Sequence, residues 1–386
     1  MNWYKLNDVC DVRDGTHDSP KYIQKGYPLV TSKNIVDGKI DISNVNYISE
    51  EDYIKINQRS KVDNGDILMP MIGTIGKPIV VKKEFDFAIK NVALIKISDD
   101  SKVLSKYVKY VLESSLFKRY IDKENRGGTQ KFLSLGNIRN FKIPVPTIEL
   151  QNKIIQILDK ARSLIEKRQS QIAALDELIQ SVFLEMFGDP YLNTFRWPVV
   201  SVSDVTTCIV PSRDKPKSFT GNIPWITISD LNKLDYTHSS REGIGLTQEE
   251  INLVKSKVIP KGSVLMSCVG DLGITSINQK EVVINQQLHS YQCSEKINNY
   301  FLMNVIPYMK NYLMKVASST TILYMNKEKC NSIPVILPPI ELQREFEKKA
   351  MKINETKKSY ELSLRNLKGL YNSLLQKAFK GELFEA

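Results

Sequence analysis

Pro146-Thr-Ile-Glu-Leu-Gln151 opens a long charged stretch without proline, and Pro338-Pro-Ile-Glu-Leu-Gln343 opens a second one 192 residues later. Proline would break a helical ladder, so both stretches, Glu149–Phe187 and Glu341–Phe379, read as uninterrupted helices. In the first, steps of four and three pick out Ile154, Leu158, Ala161, Ile165, Arg168, Ile172, Leu175, Ile179, Val182 and Met186. Adding 192 gives Phe346, Ala350, Ile353, Lys357, Tyr360, Leu364, Leu367, Tyr371, Leu374 and Ala378. A strict four-three alternation held this long is a coiled-coil seam, narrower than the stripe of a helix packed on a globular core. At 1.5 Å per residue the seam runs roughly 48 Å. Arg168 and Lys357 interrupt it; such residues set register or snorkel outward. The pattern does not encode the orientation of the two helices.

Working outward, the segments before the helices also correspond. Trp3 with Asp8-Val9 matches Trp197 with Asp204-Val205. Pro28-Leu-Val-Thr31 matches Pro224-Trp-Ile-Thr227. Gly65-Asp-Ile-Leu-Met69, followed by Gly73 and Gly76, matches Gly262-Ser-Val-Leu-Met266, followed by Gly270 and Gly273. The chain is therefore a tandem repeat. Its expected parts are a globular segment at 1–148, a helix at 149–187, a second globular segment at 188–340 and a C-terminal helix at 341–386.

Each globular segment mixes short β-type runs with a helix and Gly- or Asn/Asp-rich turns, an α+β pattern. In the first, runs at Ile67–Met69, Pro78–Val81 and Val92–Ile97 precede a helix near Leu104–Arg119 and the basic loop Arg126-Gly-Gly-Thr-Gln-Lys-Phe132. In the second, runs at Val264–Met266 and Val282–Ile284 precede a helix near Tyr300–Lys315 and the loop Ser318-Ser-Thr-Thr321.

The net charge of +11 and pI near 9.1 fit a polyanionic partner such as nucleic acid. The excess lies mainly in residues 1–148, with 24 basic and 18 acidic side chains, and less in 188–340, with 15 and 12. The five cysteines form no C-x-x-C pair and the three histidines are widely spaced, so neither a disulfide framework nor a metal site is expected. The start, MNWYKLNDVC, lacks a basic region followed by an apolar core, and no apolar run reaches 18 residues, so no membrane contact and a cytoplasmic location are expected.

Catalytic motifs are missing as well. Met71-Ile-Gly-Thr-Ile-Gly-Lys-Pro78 lacks the glycine spacing and the Ser/Thr of a P-loop, and reads as a glycine hairpin. Asp189-Pro190-Tyr191 has one proline where an amino-methyltransferase motif needs two. The chain is read as a non-enzyme that holds no cofactor.

The two P-x-I-E-L-Q starts, Phe187-Gly-Asp-Pro190, Ala378-Phe-Lys-Gly-Glu-Leu383 and Asp14-Gly-Thr-His-Asp-Ser-Pro20 together resemble the specificity (S) subunit of type I restriction–modification enzymes over the full chain. The resemblance implies an α+β fold of two globular target-recognition domains joined by two long antiparallel coiled-coil helices, with an internal pseudo-two-fold repeat. It implies double-stranded DNA with a bipartite site as partner. It also implies two methyltransferase (M) subunits using S-adenosylmethionine on adenine N6, and ATP- and Mg-dependent restriction/translocase (R) subunits. Two other readings share part of this pattern: the DNA reader of a related phage-defence or lone methyltransferase complex, and a coiled-coil scaffold without DNA.

Residues shared by the repeats are expected to be scaffold, and unlike residues at equivalent loops to read DNA. The candidates are Arg13, His17, Lys33, Asn34, Lys77, Arg126, Gln130 and Lys131 in the first half. In the second half they are Arg213, Lys217, Ser229, Gln286, Gln287, Thr321 and Tyr324. Arg and Lys match guanine edges, and Asn and Gln match adenine edges, in the major groove.

Overall fold

A computed structural model describes residues 2–36, 38–72, 75–124, 133–319 and 322–384. The chain forms two compact units, one of Met1–Ser170 with Glu361–Ala386 and one of Gln171–Tyr360.

In unit 1, strand Asn2–Lys5 pairs antiparallel with Lys142–Val145 and ties the start of the domain to its end. The main sheet runs in the order Asp11–Asp14, Val92–Lys96, Ile67–Pro70, Ile79–Val80. Ile67–Pro70 is buried throughout because both faces are covered. Alternate side chains take opposite faces. Ile67, Met69, Ala93 and Ile95 join the helical core of Tyr107, Val108, Val111 and Phe117, while Leu68, Val92 and Leu94 join Ile79, Phe87 and Ile89. A small sheet has Tyr27–Val30 between Asn46–Ile48, antiparallel, and Ala88–Ile89, parallel.

Unit 2 follows the same order. Val199–Ser201 pairs with Pro334–Ile336. The main sheet runs Thr206–Ile209, Leu288–Cys293, Val264–Ser267, Thr275–Asn278, Tyr236–Thr237. Val264 and Met266 face one core and Leu265 the other. Ile223–Ile226 sits between Gly245–Leu246 and Val283–Ile284, again antiparallel on one side and parallel on the other. Gly65 and Gly262 both take φ near +85°, at 87° and 84°, in the turn before the central strand, a conformation that favours glycine. The helix expected near Leu104–Arg119 is two, Ser105–Glu113 and Ser115–Glu124. The one expected near Tyr300–Lys315 is broken by a 3-10 turn, Ile306–Met309, because Pro307 has no N–H to give the ladder.

The long helices span Ile148–Phe187 and Ile340–Lys380. Every seam position is buried or half-buried. In unit 1, Ile154, Ile155 and Leu158 share a core with Leu375, Ala378 and Phe379; in unit 2, Ile179, Phe183 and Phe187 share one with Phe346 and Ala350. The helix ends thus belong to the unit cores, whereas the sequence reading set domain boundaries at 148, 188 and 340.

The last residue of P-x-I-E-L-Q explains the motif. Gln151 is fully buried; its Nε2 donates to the carbonyls of Lys102 (2.7 Å) and Pro146 (3.0 Å), and its Oε1 accepts from Leu104 N (2.9 Å). Gln343, also fully buried, donates to Pro338 O (2.8 Å) and Lys296 O (3.4 Å) and accepts from Asn298 N (2.8 Å). Each glutamine clips its helix start to a loop of its own domain.

Candidate nucleic-acid interface

Strand register brings the candidate loops to one end of each sheet. In unit 1 Asp14 pairs with Ala93 and Pro70 with Val92. The loop after Asp14, the link before Val92 and the glycine hairpin after Pro70 therefore leave by the same edge. In unit 2 Ile209 pairs with Ser290 and Ser267 with Leu288, so the equivalent loops do the same. The parallel pairings of Tyr27–Val30 with Ala88–Ile89, and of Ile223–Ile226 with Val283–Ile284, add the 3-10 turns Ser32–Asn34 and Ile228–Asp230.

In unit 1 the loop Asp14–His17 is pressed onto the link at Ile89–Asn91. A Cβ at Gly15 would lie 2.2 Å from Ile89 O, so only glycine fits. His17 Nδ1 and Nε2 each lie 2.8 Å from an oxygen, Asn91 Oδ1 and Asp14 Oδ2. These two bonds favour the doubly protonated ring and raise its pKa, the Asn91 bond first. Arg59 pairs with the other oxygen of Asp14, and Arg13 donates to Arg59 O (2.8 Å) and Asp11 (2.8 Å). Arg13, Arg59, Asp14, His17 and Asn91 are thus one connected set.

In unit 2 the corresponding loop is held near its start by an amide and near its end by the Glu250 carboxylate, which accepts from Thr220 N (3.2 Å) and Oγ1 (3.0 Å). Gln286 Nε2 donates to Ser212 O at 2.8 Å, with Arg213 O and Asp214 O at 3.5 Å. Asn285 Nδ2 donates to Gln287 Oε1 (2.9 Å), and Cys268 N to Gln287 O (2.8 Å). Cys268 O accepts from Met325 N (2.9 Å), which links this ledge to the strand carrying Tyr324. Cys208 Sγ lies 3.6 Å from His289 Nδ1; burial pushes His289 down to about 4 and Cys208 up to about 11, which favours a neutral imidazole beside a thiol near neutral pH. Among the described residues no group of His, Cys, Asp or Glu is placed to hold a metal ion. No described helix is long and apolar enough to cross a membrane.

The pattern described as "Type I restriction modification DNA specificity domain" matches residues 1–175 and again 196–351. This chain belongs to that family. A Methanocaldococcus jannaschii chain, provisionally named the type I restriction enzyme MjaX specificity subunit, is 24% identical over 377 residues, covering 91% of this chain and 86% of its own. The Escherichia coli EcoBI specificity subunit is 27% identical over 170 residues, covering 43% of this chain and 35% of its own. Among solved structures, one from work on complex assembly and conformational transition of the type I R-M system aligns with TM-score 0.59 at 19% identity, covering 99% of this chain and 98% of that one. The S subunit from M. genitalium aligns with TM-score 0.55 at 15% identity, covering 98% and 96%. As a type I specificity subunit the chain is non-catalytic and carries DNA-recognition domains.

In this specificity subunit Lys33, Lys77, Arg213, Lys217, Ser229, His17 and Tyr324 are exposed. Asn34 is a correction. It is buried, accepts from Thr31 N (3.0 Å) and Oγ1 (2.9 Å), and donates to Asp41 O (3.1 Å) and Asn44 O (3.2 Å). With both ends of its amide engaged it is a turn brace, as is Asp230 in unit 2. Gln286 likewise spends its amide nitrogen on the loop, and Arg13 spends its guanidinium on Asp11 and the end of helix Glu50–Ser60. Arg126, Gln130, Lys131 and Thr321 lie outside the described residues. The sequence reading missed Arg59 and Asn91. Asn91 has φ of 54°, and its role depends on a partner 74 residues away, so no local spacing marks it.

Proposed function

We propose that the chain reads a bipartite double-stranded DNA site, one half-site per unit, and docks two methyltransferase subunits and restriction/translocase subunits. The observation that carries this reading is the repeated sheet order whose one end collects unlike exposed side chains: His17 and Lys33 in one unit, Arg213 and Ser229 in the other. A common frame with different reading groups is what two different half-sites require. The two long helices are read as an antiparallel coiled coil relating pseudo-two-fold domains, a rod of roughly 48 Å. Successive major grooves on one DNA face lie about 34–36 Å apart, so such a rod serves as a ruler for the unread spacer. The chemistry sits on the partners, which bring S-adenosylmethionine, ATP and Mg, and the complex works in the cytoplasm. The test is methylome sequencing of cells with and without the chain, and with unit 2 exchanged for a relative's. The motif should vanish without the chain, and only one half should change in the exchange. Change in both halves would refute one half-site per unit.

A further inference from the structure

Strands Ser318–Ser319 and Leu323–Tyr324 form a hairpin in unit 2, with Ser318 opposite Tyr324. Gly270 N donates to Leu323 O (2.9 Å), Met325 N donates to Cys268 O (2.9 Å), and Tyr324 bridges Val269. Met325 and Cys330 are fully buried. On this anchored base Ile322 is 61% exposed and Tyr324 44%. The Tyr324 hydroxyl has no hydrogen-bond partner among the described residues. Lys329 Nζ donates to Ser318 Oγ (2.8 Å), fixing a cation at the root of the hairpin, and Lys315 and Lys327 are exposed on the flanking helices. An exposed ring on a fixed backbone, flanked by lysines, has the makings of a base-stacking platform.

The repeat narrows the role. Leu133 N donates to Met71 O (3.0 Å) as Met325 N does to Cys268 O, so position 133 corresponds to 325. That correspondence sets Phe132 against Tyr324 in sequence, Gln130 against Ile322 and Lys131 against Leu323. Tyr324, expected above among the unlike residues, thus has an aromatic counterpart in Phe132, while its neighbours change chemistry. A group kept by both halves does not distinguish them, and stacking tolerates any base because every base has a π-face.

We propose that Tyr324 stacks on a base unstacked from the duplex at the second half-site, adding affinity without choosing sequence. This rests on the DNA-reading function above. The test uses the chain co-expressed with its methyltransferase subunits. The probe is a duplex carrying the motif found by methylome sequencing, with 2-aminopurine moved stepwise through the second half-site. Besides the rise at the methylated adenine, which the methyltransferase subunits themselves unstack, the wild-type complex should raise fluorescence at one further position. Tyr324→Ala should abolish that rise and weaken binding about tenfold, with the salt slope and the methylated motif unchanged. Tyr324→Phe should keep both, and Tyr324→Leu should keep the fold but lose the rise. Specific binding with no rise at a further position, or an unaltered Tyr324→Ala, overturns the stacking role alone. So does a Tyr324→Phe variant as weak as Tyr324→Ala, which would assign the hydroxyl a base contact. Failure of the wild-type complex to prefer its own motif overturns the underlying DNA-reading function and this proposal with it.

Discussion

In unit 1 the loop after the edge strand Asp11–Asp14 is tethered by ionisable groups, His17 between Asp14 and Asn91, with Arg59 on the far oxygen of Asp14. In unit 2 the loop after Thr206–Ile209 is tethered at its start by an amide, Gln286 on the carbonyl of Ser212, and at its end by the Glu250 carboxylate on Thr220. The frame beneath is the same in both: a Thr-capped 3-10 turn, a parallel strand pair and a glutamine clip. The comparison separates what the two domains need in common from what each is free to vary. Near neutral pH the tether of unit 1 can titrate at His17, whereas Glu250 in unit 2, its pKa lowered to about 2 chiefly by its bond to Ser218, stays ionised.

The largest expected effect tests whether the helices couple the units. Two residues inserted after Ser170 turn the following face by about 200° and expose Ile172, Leu175 and Ile179. That variant should lose assembly with the methyltransferase subunits, read by gel filtration. Four residues inserted after Ser170, with four more after Tyr360 to keep the helices matched, nearly preserve the phase. The methylated spacer should then lengthen by roughly one or two base pairs. An unchanged spacer in an active four-residue variant would show that the rod is not the ruler.

Next in size are the glutamine clips. Gln151→Ala and Gln343→Ala each strand buried backbone groups and should cost about 2–4 kcal/mol, a fall of about 5–15 °C in Tm. Calorimetry should find the two losses alike. If one clip proved dispensable, the equivalence of the two helix starts would fail.

His289 comes third. Its pKa is held down at about 4 by burial, so the folded state disfavours the proton. Its stabilising effect is present above pH about 6.5 and lost as pH falls toward and through 4, roughly 3 kcal/mol in all. His289→Asn should flatten that part of the melting curve of unit 2 against pH. The smallest effect concerns His17, whose raised pKa gives the opposite sign. Its contribution is full below the ordinary value of 6.5 and fades as pH rises through the folded value. The protection of the Thr16 and Asn91 amides, taken relative to the intrinsic exchange rate at each pH, should fall with rising pH in the wild type and not in His17→Gln. The same trend at Arg213 and Asp214 would erase the contrast between the tethers.

The large-scale pattern was legible in the residues themselves. Proline-free four-three periodicity marks both long helices, and repeated Thr31 and Thr227, Gly65 and Gly262 mark shared scaffold whose geometry matches in the two units. What the residues alone do not reveal is which amides are already engaged in bracing the fold. Asn34 has the donor and acceptor that suit adenine, yet both are engaged within ten residues of chain. Gln286 finds its carbonyl 74 residues away. Side-chain chemistry is visible in sequence; which groups are already satisfied depends on three-dimensional neighbours. The two compact units each take in ends of the long helices for a related reason: the ends of an apolar seam are chemically indistinguishable from core, and Ile154 and Phe346 serve as core.

The glutamine clips carry an evolutionary consequence. Gln151 and Gln343 hold only main-chain groups of the domains they join. The socket on the helix has a fixed side chain, while the plug on the domain has none to specify. A recognition domain acquired by recombination therefore satisfies the clip wherever its loop shape is kept, whatever residues line that loop. Exchange of whole domains then leaves the clips intact, and compensating substitutions fall instead to the side chains that pack the helix ends, Ile154 and Phe346 among them.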